Sequence, residues 1–490
     1  MKSIDKYKYT RGWAGALVIG ALATALTACE PKMDKVEMVD EPAPIFPDYA
    51  GIIVPCNIAP LNFTLRNDAD YMTVKVKGQN DSITVRGRKE TNFSLGLWRS
   101  LLTSEIGNDL EITVTAHVDG RWVQYQPFYL TVSPQPIDPY LSYRLIEPGY
   151  EVWNKIQLCE RNLENFDERV LADNRNLDGA CMNCHIYGNG NHEDKGTSMF
   201  HLRGPKGGTI MIKDGKITKL TIKPTSMETA AVYGDFSPGN RYCVFSSNLV
   251  RPTFHTLDSR RLEVYDEESD VFVVDLDRNM AVESPLVARK DVWETFPVFS
   301  PDCKWVYYCS APAVTVPDSV EHLRYSICRI PFDSAMAEFG DSVEVVWSGT
   351  EHNASACHPK ISPDGKFLLF TEAAYGTFPI WHKEADLRML NLETGEVDPL
   401  DAVNGPNSDT YHSWSSNGRW FVFASKRDDG QYGRPYISFV DTTGVAAKPF
   451  LVPLKRPTHY NNTLKSYNIP DLSPRPVTAT QQEIEDACKL

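Results

Sequence analysis

Short runs of alternating apolar and polar residues recur along most of this chain. Between residues 46 and 135 they read "NFTLR", "YMTVKVKG", "SITVRG", "LEITVTAHV" and "FYLTVS", and Asn, Asp and Gly separate them. Alternation with a period of two is typical of strands that bury one face. The pattern therefore predicts a small sandwich-like β domain over residues 46–135, with no evident chemistry of its own.

The pattern changes over residues 136–198. Proline-rich punctuation gives way to charged segments that contain Leu and aromatic residues and have the length of helices. This change predicts a short, mostly helical connector, which leads the chain to the motif "CMNCH" at Cys181–His185.

A repeat follows beyond residue 200. Four segments align, "FSPGNRYCVFSS", "FSPDCKWVYYCS", "ISPDGKFLLFTE" and "WSSNGRWFVFAS", with their serines at 237, 300, 362 and 415. Each has a basic residue four places after the serine and an aromatic residue five and eight places after it. The residues four places before the serines are Tyr233, Phe296, His358 and Tyr411. Repeated sheet-forming units at such spacing predict a β-propeller of five or six blades.

These segments resemble the TolB-like, or PD40, repeats of the WD40-like propellers. The resemblance implies a mainly β chain with a propeller over residues 199–477 and a short tail over 478–490. It also implies that the strand before each serine lies towards the central channel, so His358 and His412 are candidates for a polar channel mouth. Core histidines bonded to the backbone would give the same pattern.

The N-terminus has the features of an export signal. A positively charged start precedes the apolar run "AGALVIGALATALTA", which is short for a membrane span and ends in "LTAC". Cys29 resembles the lipidated cysteine of bacterial lipoproteins, which implies a signal peptide over residues 1–28 and a lipid anchor. Residues 29–45 are acidic and contain proline, so they predict a flexible tether. We expect the mature chain at the cell envelope, facing the periplasm or the cell surface.

The amino-acid composition limits which partners we expect the chain to bind. The net charge is −14, which argues against nucleic acid. The chain has eleven cysteines, and the eight outside the motif and the lipidation site are scattered, which predicts mostly buried free thiols.

The motif "CMNCH" has three chemical interpretations. A structural zinc site would need two further ligands, and no second paired motif occurs in the sequence. A thioredoxin-like dithiol would need a βαβ setting, which the surrounding residues do not predict. A c-type haem explains every position, because two thiols three apart reach the two vinyl groups and the adjacent His185 becomes an axial ligand.

The sixth position of the iron has several candidates. Tyr187 and His192 follow the motif, while His201 and then Met199 are the preferred residues; an open position is the alternative. Arg203 is a candidate partner for a haem propionate.

The whole arrangement resembles exported cytochrome-like lipoproteins of the kind labelled cytochrome c biosynthesis or TolB-like. The resemblance implies one covalent haem c and electron transfer, with the propeller as docking platform for a redox partner or envelope complex. One alternative is a haem enzyme or ligand sensor with an open sixth position. Another is a non-redox binding scaffold. No G-x-S-x-G motif supports a hydrolase, so we expect an electron carrier or binding protein rather than a catalyst.

Overall fold

Strands dominate the computed structural model, so the mainly β prediction is confirmed. The structure describes residues 32–33, 35–148, 153–188, 196–204, 206–254 and 262–490. The predicted signal peptide and Cys29 lie outside these residues. In the described part of the chain, no helix is both long and apolar enough to span a membrane.

One seven-stranded sheet and a two-stranded sheet form the N-terminal domain. The elements are β1 Val36–Pro42, β2 Ile45–Phe46, β3 Ile52–Pro55, β4 Thr64–Leu65, β5 Tyr71–Lys77, β6 Ser82–Gly87, α1 Leu95–Ser104, β7 Asp109–Val118, β8 Arg121–Gln126 and β9 Phe128–Ser133. The large sheet has the order β1-β8-β7-β5-β6, and β9 joins β7 to β3, while β2 pairs with β4. Helix α1 buries Trp98, Leu101 and Leu102, which lie on one helical face. The two-sheet sandwich is not confirmed by this topology.

The predicted flexible tether is partly a strand. Strand β1 pairs in parallel with β8, from Val36 opposite Trp122 to Pro42 opposite Gln126. Backbone pairing at the edge of a sheet does not require apolar side chains, and most of β1 is exposed. An acidic segment can therefore join the domain without a hydrophobic signal.

Six blades form the propeller, five of them with four strands and one with five. The first blade contains β10 Tyr140–Pro148, β11 Trp153–Asn162, β12 Glu168–Asp173 and, from the end of the propeller, β34 Ser466–Ser473; the second contains β13 Met182–Tyr187, β14 Ser198–Leu202, β15 Gly208–Lys213 and β16 Lys216–Leu220. The third contains β17 Ala231–Phe236, β18 Tyr242–Phe254, β19 Leu262–Asp275 and β20 Met280–Val282; the fourth contains β21 Val292–Phe299, β22 Trp305–Pro312, β23 Ser326–Asp333, β24 Glu338–Phe339 and β25 Glu344–Trp347. The fifth contains β26 Ser355–Ile361, β27 Phe367–Ala373, β28 Asp386–Asn391 and β29 Val397–Asp398; the sixth contains β30 Asp409–Trp414, β31 Trp420–Ser425, β32 Arg434–Phe439 and β33 Phe450–Leu451. A short helix, α2 Gly349–His352, precedes β26. Blade β21–β25 has the additional short strand β24.

The last strand closes the ring. Strand β34 pairs antiparallel with β10, and it becomes the innermost strand of the first blade, in the order β34-β10-β11-β12. The six innermost strands, β34, β13, β17, β21, β26 and β30, contact one another around the channel.

The predicted helical connector is wrong. Residues 140–187 supply three strands of the first blade and the innermost strand of the second, so the propeller begins near Tyr140 rather than at residue 199. The alternation expected for strand β11 is interrupted by a buried charged residue. Glu160 occupies a core position on β11, where it accepts hydrogen bonds from Tyr187 Oη at 2.8 Å and from the Val477 backbone at 2.7 Å.

The predicted tail ends in a third helix, α3 Gln481–Lys489. Thr480 and Glu483 form a capping box at its N-terminus. Its buried residues Ile484 and Cys488 belong to the apolar cluster between the first two blades, so the tail secures the junction beside the motif.

The N-terminal domain docks on the sixth blade. The Asp138 carboxylate accepts hydrogen bonds from the Ser416 backbone at 2.8 Å and from its hydroxyl at 2.6 Å. Trp420 Nε1 donates to the Gln135 carbonyl at 3.1 Å. One apolar cluster also spans both domains, so the domain is fixed against the turn that follows β30.

Candidate functional site

Each innermost strand carries one residue with left-handed backbone geometry. These residues are Cys184, Tyr233, Phe296, His358, Tyr411 and Ile469, with φ between 46° and 55°. Positive φ is uncommon outside glycine, and at each of these places the strand pairing slips, which marks a β-bulge. We call these six residues the collar, because together they encircle the channel.

The bulge explains how the motif places both thiols on one wall. In a regular strand, residues three apart point to opposite faces. Between Asn183 and Ile186, strand β13 advances three residues while its partner β14 advances two, from His201 to Met199. The extra residue at Cys184 restores a common face, and both Cys181 and Cys184 line the same cavity. The two thiols are free, and Cys184 is buried.

Ring contacts connect the collar. The ring centroids of Tyr233 and Phe296 are 4.6 Å apart, those of Phe296 and His358 are 4.3 Å apart, and those of His358 and Tyr411 are 4.6 Å apart. Cys184 belongs to the second blade and His358 to the fifth. In a ring of six blades these two positions are opposite each other.

The channel contains a cavity of about 470 Å³. Its walls are mostly apolar, and basic side chains lie among them. The apolar and aromatic lining residues include Ile146, Val250, Val264, Phe378, Trp381 and Tyr432, and the basic ones include Arg144, Arg203, Lys360 and Lys426. A cavity of this composition suits a partly apolar group that carries negative charge.

A polar layer crosses the channel beside the collar, two residues further along the innermost strands. Lys360 Nζ lies 3.2 Å from Asp235 Oδ1. The Asp471 carboxylate accepts a hydrogen bond from the Ser413 hydroxyl and another from the Tyr187 backbone at 3.0 Å. These contacts involve five of the six blades, so the layer braces the innermost strands against one another.

His185 is buried between the first two blades. Burial, and then the positive charge of Arg144, lower its pKa to about 3, against opposing hydrogen bonds to the backbone of Ser142 and Ile469. The ring is therefore neutral at pH 7. Within the described residues its Nε2 has no hydrogen-bond partner. A neutral imidazole with a free nitrogen is the form that binds metals.

The two residues preferred for the sixth position lie away from the cavity. Met199 packs in the apolar core between the second and third blades, with its Sδ 3.8 Å from Cys243 Sγ. His201 lies on the same strand, 3.3 Å from Thr209 Oγ1. Both belong to the second strand of their blade, and neither lines the cavity. Of the other two candidates, Tyr187 donates to Glu160, and His192 lies outside the described residues.

Arg203 does line the cavity, as its predicted role requires. Its Nη2 donates to Tyr233 Oη at 3.4 Å. Among the described residues no group of three or more His, Cys, Asp or Glu side chains is arranged to hold a metal ion, so the zinc interpretation gains no further ligand.

Two buried side chains facing the cavity have no hydrogen-bond partner among the described residues. They are His358, through both ring nitrogens, and Lys426. Lys426 Nζ lies 3.2 Å from the centroid of the Trp381 ring, and burial lowers its pKa to about 7. The repeat identified His358 as a candidate channel residue. Lys426 was not predicted because it follows β31, outside the repeated segment.

Comparisons with known proteins find similar solved structures but no family. No family model and no curated protein matches the chain. Among solved structures, it is similar to a puromycin-hydrolyzing peptidase of Mycobacterium tuberculosis (12% identity, 63% of this chain and 46% of the peptidase, TM-score 0.37). It is also similar to an oligogalacturonate lyase in complex with manganese (13%, 63% and 72%, 0.35) and to Kuenenia stuttgartiensis hydrazine synthase (14%, 50% and 74%, 0.26). The chain matches less than half of the peptidase. Its own strand order establishes a six-bladed β-propeller scaffold.

Proposed function

We propose that this chain carries one covalent haem c in its propeller channel, held by Cys181 and Cys184, and serves in electron transfer at the cell envelope. The observation that carries the proposal is the placement of both thiols on the wall of one cavity of about 470 Å³. Two thioethers require thiols that reach the same edge of a porphyrin. The bulge at Cys184 supplies that common face, although the motif lies on a strand rather than on a helical turn.

The cavity walls support the same group. Apolar side chains such as Val264 and Phe378 exclude water from a porphyrin face, and Arg144, Arg203 and Lys426 offer positive charge to two propionates. His185 would hold the iron from the thiol side, since its ring is neutral and its Nε2 is free among the described residues. When bound, the group supplies a one-electron redox centre.

The test is expression of the full chain in a bacterium that attaches haem c. We expect a pyridine haemochrome spectrum of haem c and a mass increase of one haem. Cys181→Ala combined with Cys184→Ala should abolish both. The matched control is Cys328→Ala, a buried thiol of the inter-blade core, which should retain the haem. A wild-type chain without covalent haem would refute the proposal.

The envelope location belongs to the same proposal. Cys29 would carry the lipid, and the acidic surface would dock a basic redox partner. Cys29→Ser should move the protein from the membrane fraction to the soluble periplasmic fraction. If the wild-type protein is itself soluble, the lipid anchor is wrong.

A second candidate function is binding of a small anion beside the haem, as in a haem enzyme or sensor. Lys426 favours it, because an amine buried beside Trp381 without a hydrogen-bond partner in the described chain has unused donors. A high-spin oxidised spectrum that shifts on adding cyanide or nitric oxide would support this function. A low-spin spectrum that does not shift would support electron transfer.

A further inference from the structure

His358 occupies the collar position opposite the motif. It lies on β26, the innermost strand of the fifth blade, and Cys184 lies on the innermost strand of the second. His358 is buried and lines the same cavity as both thiols. A group tethered at Cys184 would therefore extend into a cavity whose opposite wall carries His358.

The imidazole of His358 is held in place without a polar partner. The rings of Phe296 and Tyr411 lie 4.3 and 4.6 Å from it, centroid to centroid, on its two sides along the collar. Neither ring nitrogen has a hydrogen-bond partner among the described residues. Leaving a buried polar group in this state is unfavourable, and a ligand that accepts its lone pair would offset that cost.

Burial also sets the protonation state of His358. Desolvation, followed by the nearby His412 and Lys360, lowers the pKa of the ring well below its usual value.

The neighbouring alternatives are less suitable. His412 also lines the cavity and its Nδ1 has no partner among the described residues, but its Nε2 donates to the Leu369 carbonyl at 2.8 Å, which holds the ring against β27 of the fifth blade rather than in the collar. Burial raises the pKa of Tyr411 to about 12, so its phenol stays protonated. His201 lies outside the cavity.

We propose that His358 is the second axial ligand of the haem iron, across the channel from the C-x-x-C-H motif. This inference rests on the proposed haem attachment. It replaces Met199 and His201 and gives the iron six ligands, which favours electron transfer over ligand binding.

The test compares His358→Ala and His358→Met with His412→Gln and His201→Ala. A pyridine haemochrome spectrum first shows whether each protein holds covalent haem. The wild type should be low-spin by visible and electron paramagnetic resonance spectra. His358→Ala should lose the low-spin signal, and added imidazole should restore it. His358→Met should raise the reduction potential, as methionine ligation does in cytochromes c. Both control variants should keep the wild-type spectrum.

The outcomes separate the two proposals. Absence of covalent haem in the wild type removes the attachment and the inference with it. Covalent haem with an unchanged spectrum in His358→Ala refutes only the inference, as does a high-spin wild type. If His201→Ala loses the low-spin signal and His358→Ala does not, the second axial ligand is His201 on β14.

Discussion

A buried histidine should make the stability of the cavity wall depend on alkaline pH. His382 lies almost fully buried with its Nε2 3.1 Å from Glu263 and its Nδ1 3.4 Å from Glu384. Glu263 also accepts a hydrogen bond from Tyr375 at 2.8 Å. Glu263 is the second residue of β19, which forms a hairpin with β18. The next residue, Val264, lines the cavity. This pair therefore fastens the hairpin to the fifth blade.

The magnitude follows from the shift in pKa. Burial alone would lower the pKa of His382, but the hydrogen bonds and charges of Glu263 and Glu384 outweigh it and raise the pKa to about 9. An unfolded histidine titrates near pH 6.5. The difference corresponds to about 3 kcal/mol of folding free energy. Because the folded pKa is the higher one, this stability is fully present below pH 6.5 and is lost as the pH rises through about 9.

The assay is urea unfolding of the wild type and of His382→Gln, followed by tryptophan fluorescence at pH 6 and at pH 10. His382→Gln should be less stable at pH 6, and the gap should shrink by about 3 kcal/mol at pH 10. The control His322→Gln replaces an exposed histidine and should leave the pH dependence unchanged. If the gap between wild type and His382→Gln is the same at both pH values, the assigned ion pair does not form.

Three further predictions test the fold. Phe296→Ala removes a ring that contacts two collar neighbours, Tyr233 and His358. It should lower the free energy of unfolding by about 3–5 kcal/mol, which is seen as a lower melting temperature. A decrease of less than about 1 kcal/mol would mean that the collar is loosely packed. Asp138→Ala removes two hydrogen bonds to Ser416 and should expose the segment between the domains to limited proteolysis, whereas an unchanged cleavage pattern would show that apolar contacts suffice for docking. Burial raises the pKa of Asp266 to about 7, although Tyr325 donates a hydrogen bond to its carboxylate. Because the Asp266 carboxyl keeps its proton to a higher pH in the folded state than in the unfolded state, the free energy of unfolding should decrease as the pH rises from 4 to 7. In Asp266→Asn, free energies of unfolding measured across this range should depend less on pH.

The repeat carried most of the fold prediction. Four serine-centred turns predicted four blades, and the residues four places before those serines are four of the collar residues; the closing strand also ends in a serine, Ser473. The sequence "GGTIMIKDGKITKL" predicts a partial blade, but the innermost strand of this second blade was not recognised because Gly188 stands where the others have serine. Cys184 therefore looked like part of a separate motif, although it occupies the same collar position as Tyr233 and His358.

Buried polar residues explain the errors around the motif. Glu160 and Arg161 are both buried on β11, and they break the alternation from which a strand is predicted. Their partners come from distant parts of the chain, such as the Val477 backbone for Glu160 and the Pro453 carbonyl for Arg161. No local pattern contains such pairings. The choice between His201 and His358 depends on the same long-range information.

Closure of the ring by β34 implies an order of events during biogenesis. The closing strand supplies Ile469 to the collar and Asp471 to the polar layer, yet it follows every other propeller strand in the chain. Until it pairs with β10, the thiols near residue 181 belong to an open chain that an attachment enzyme can reach. Afterwards Cys184 is only 7% exposed. A cofactor would thus be loaded before the ring is sealed, and loss of the C-terminus would leave it without a closed wall.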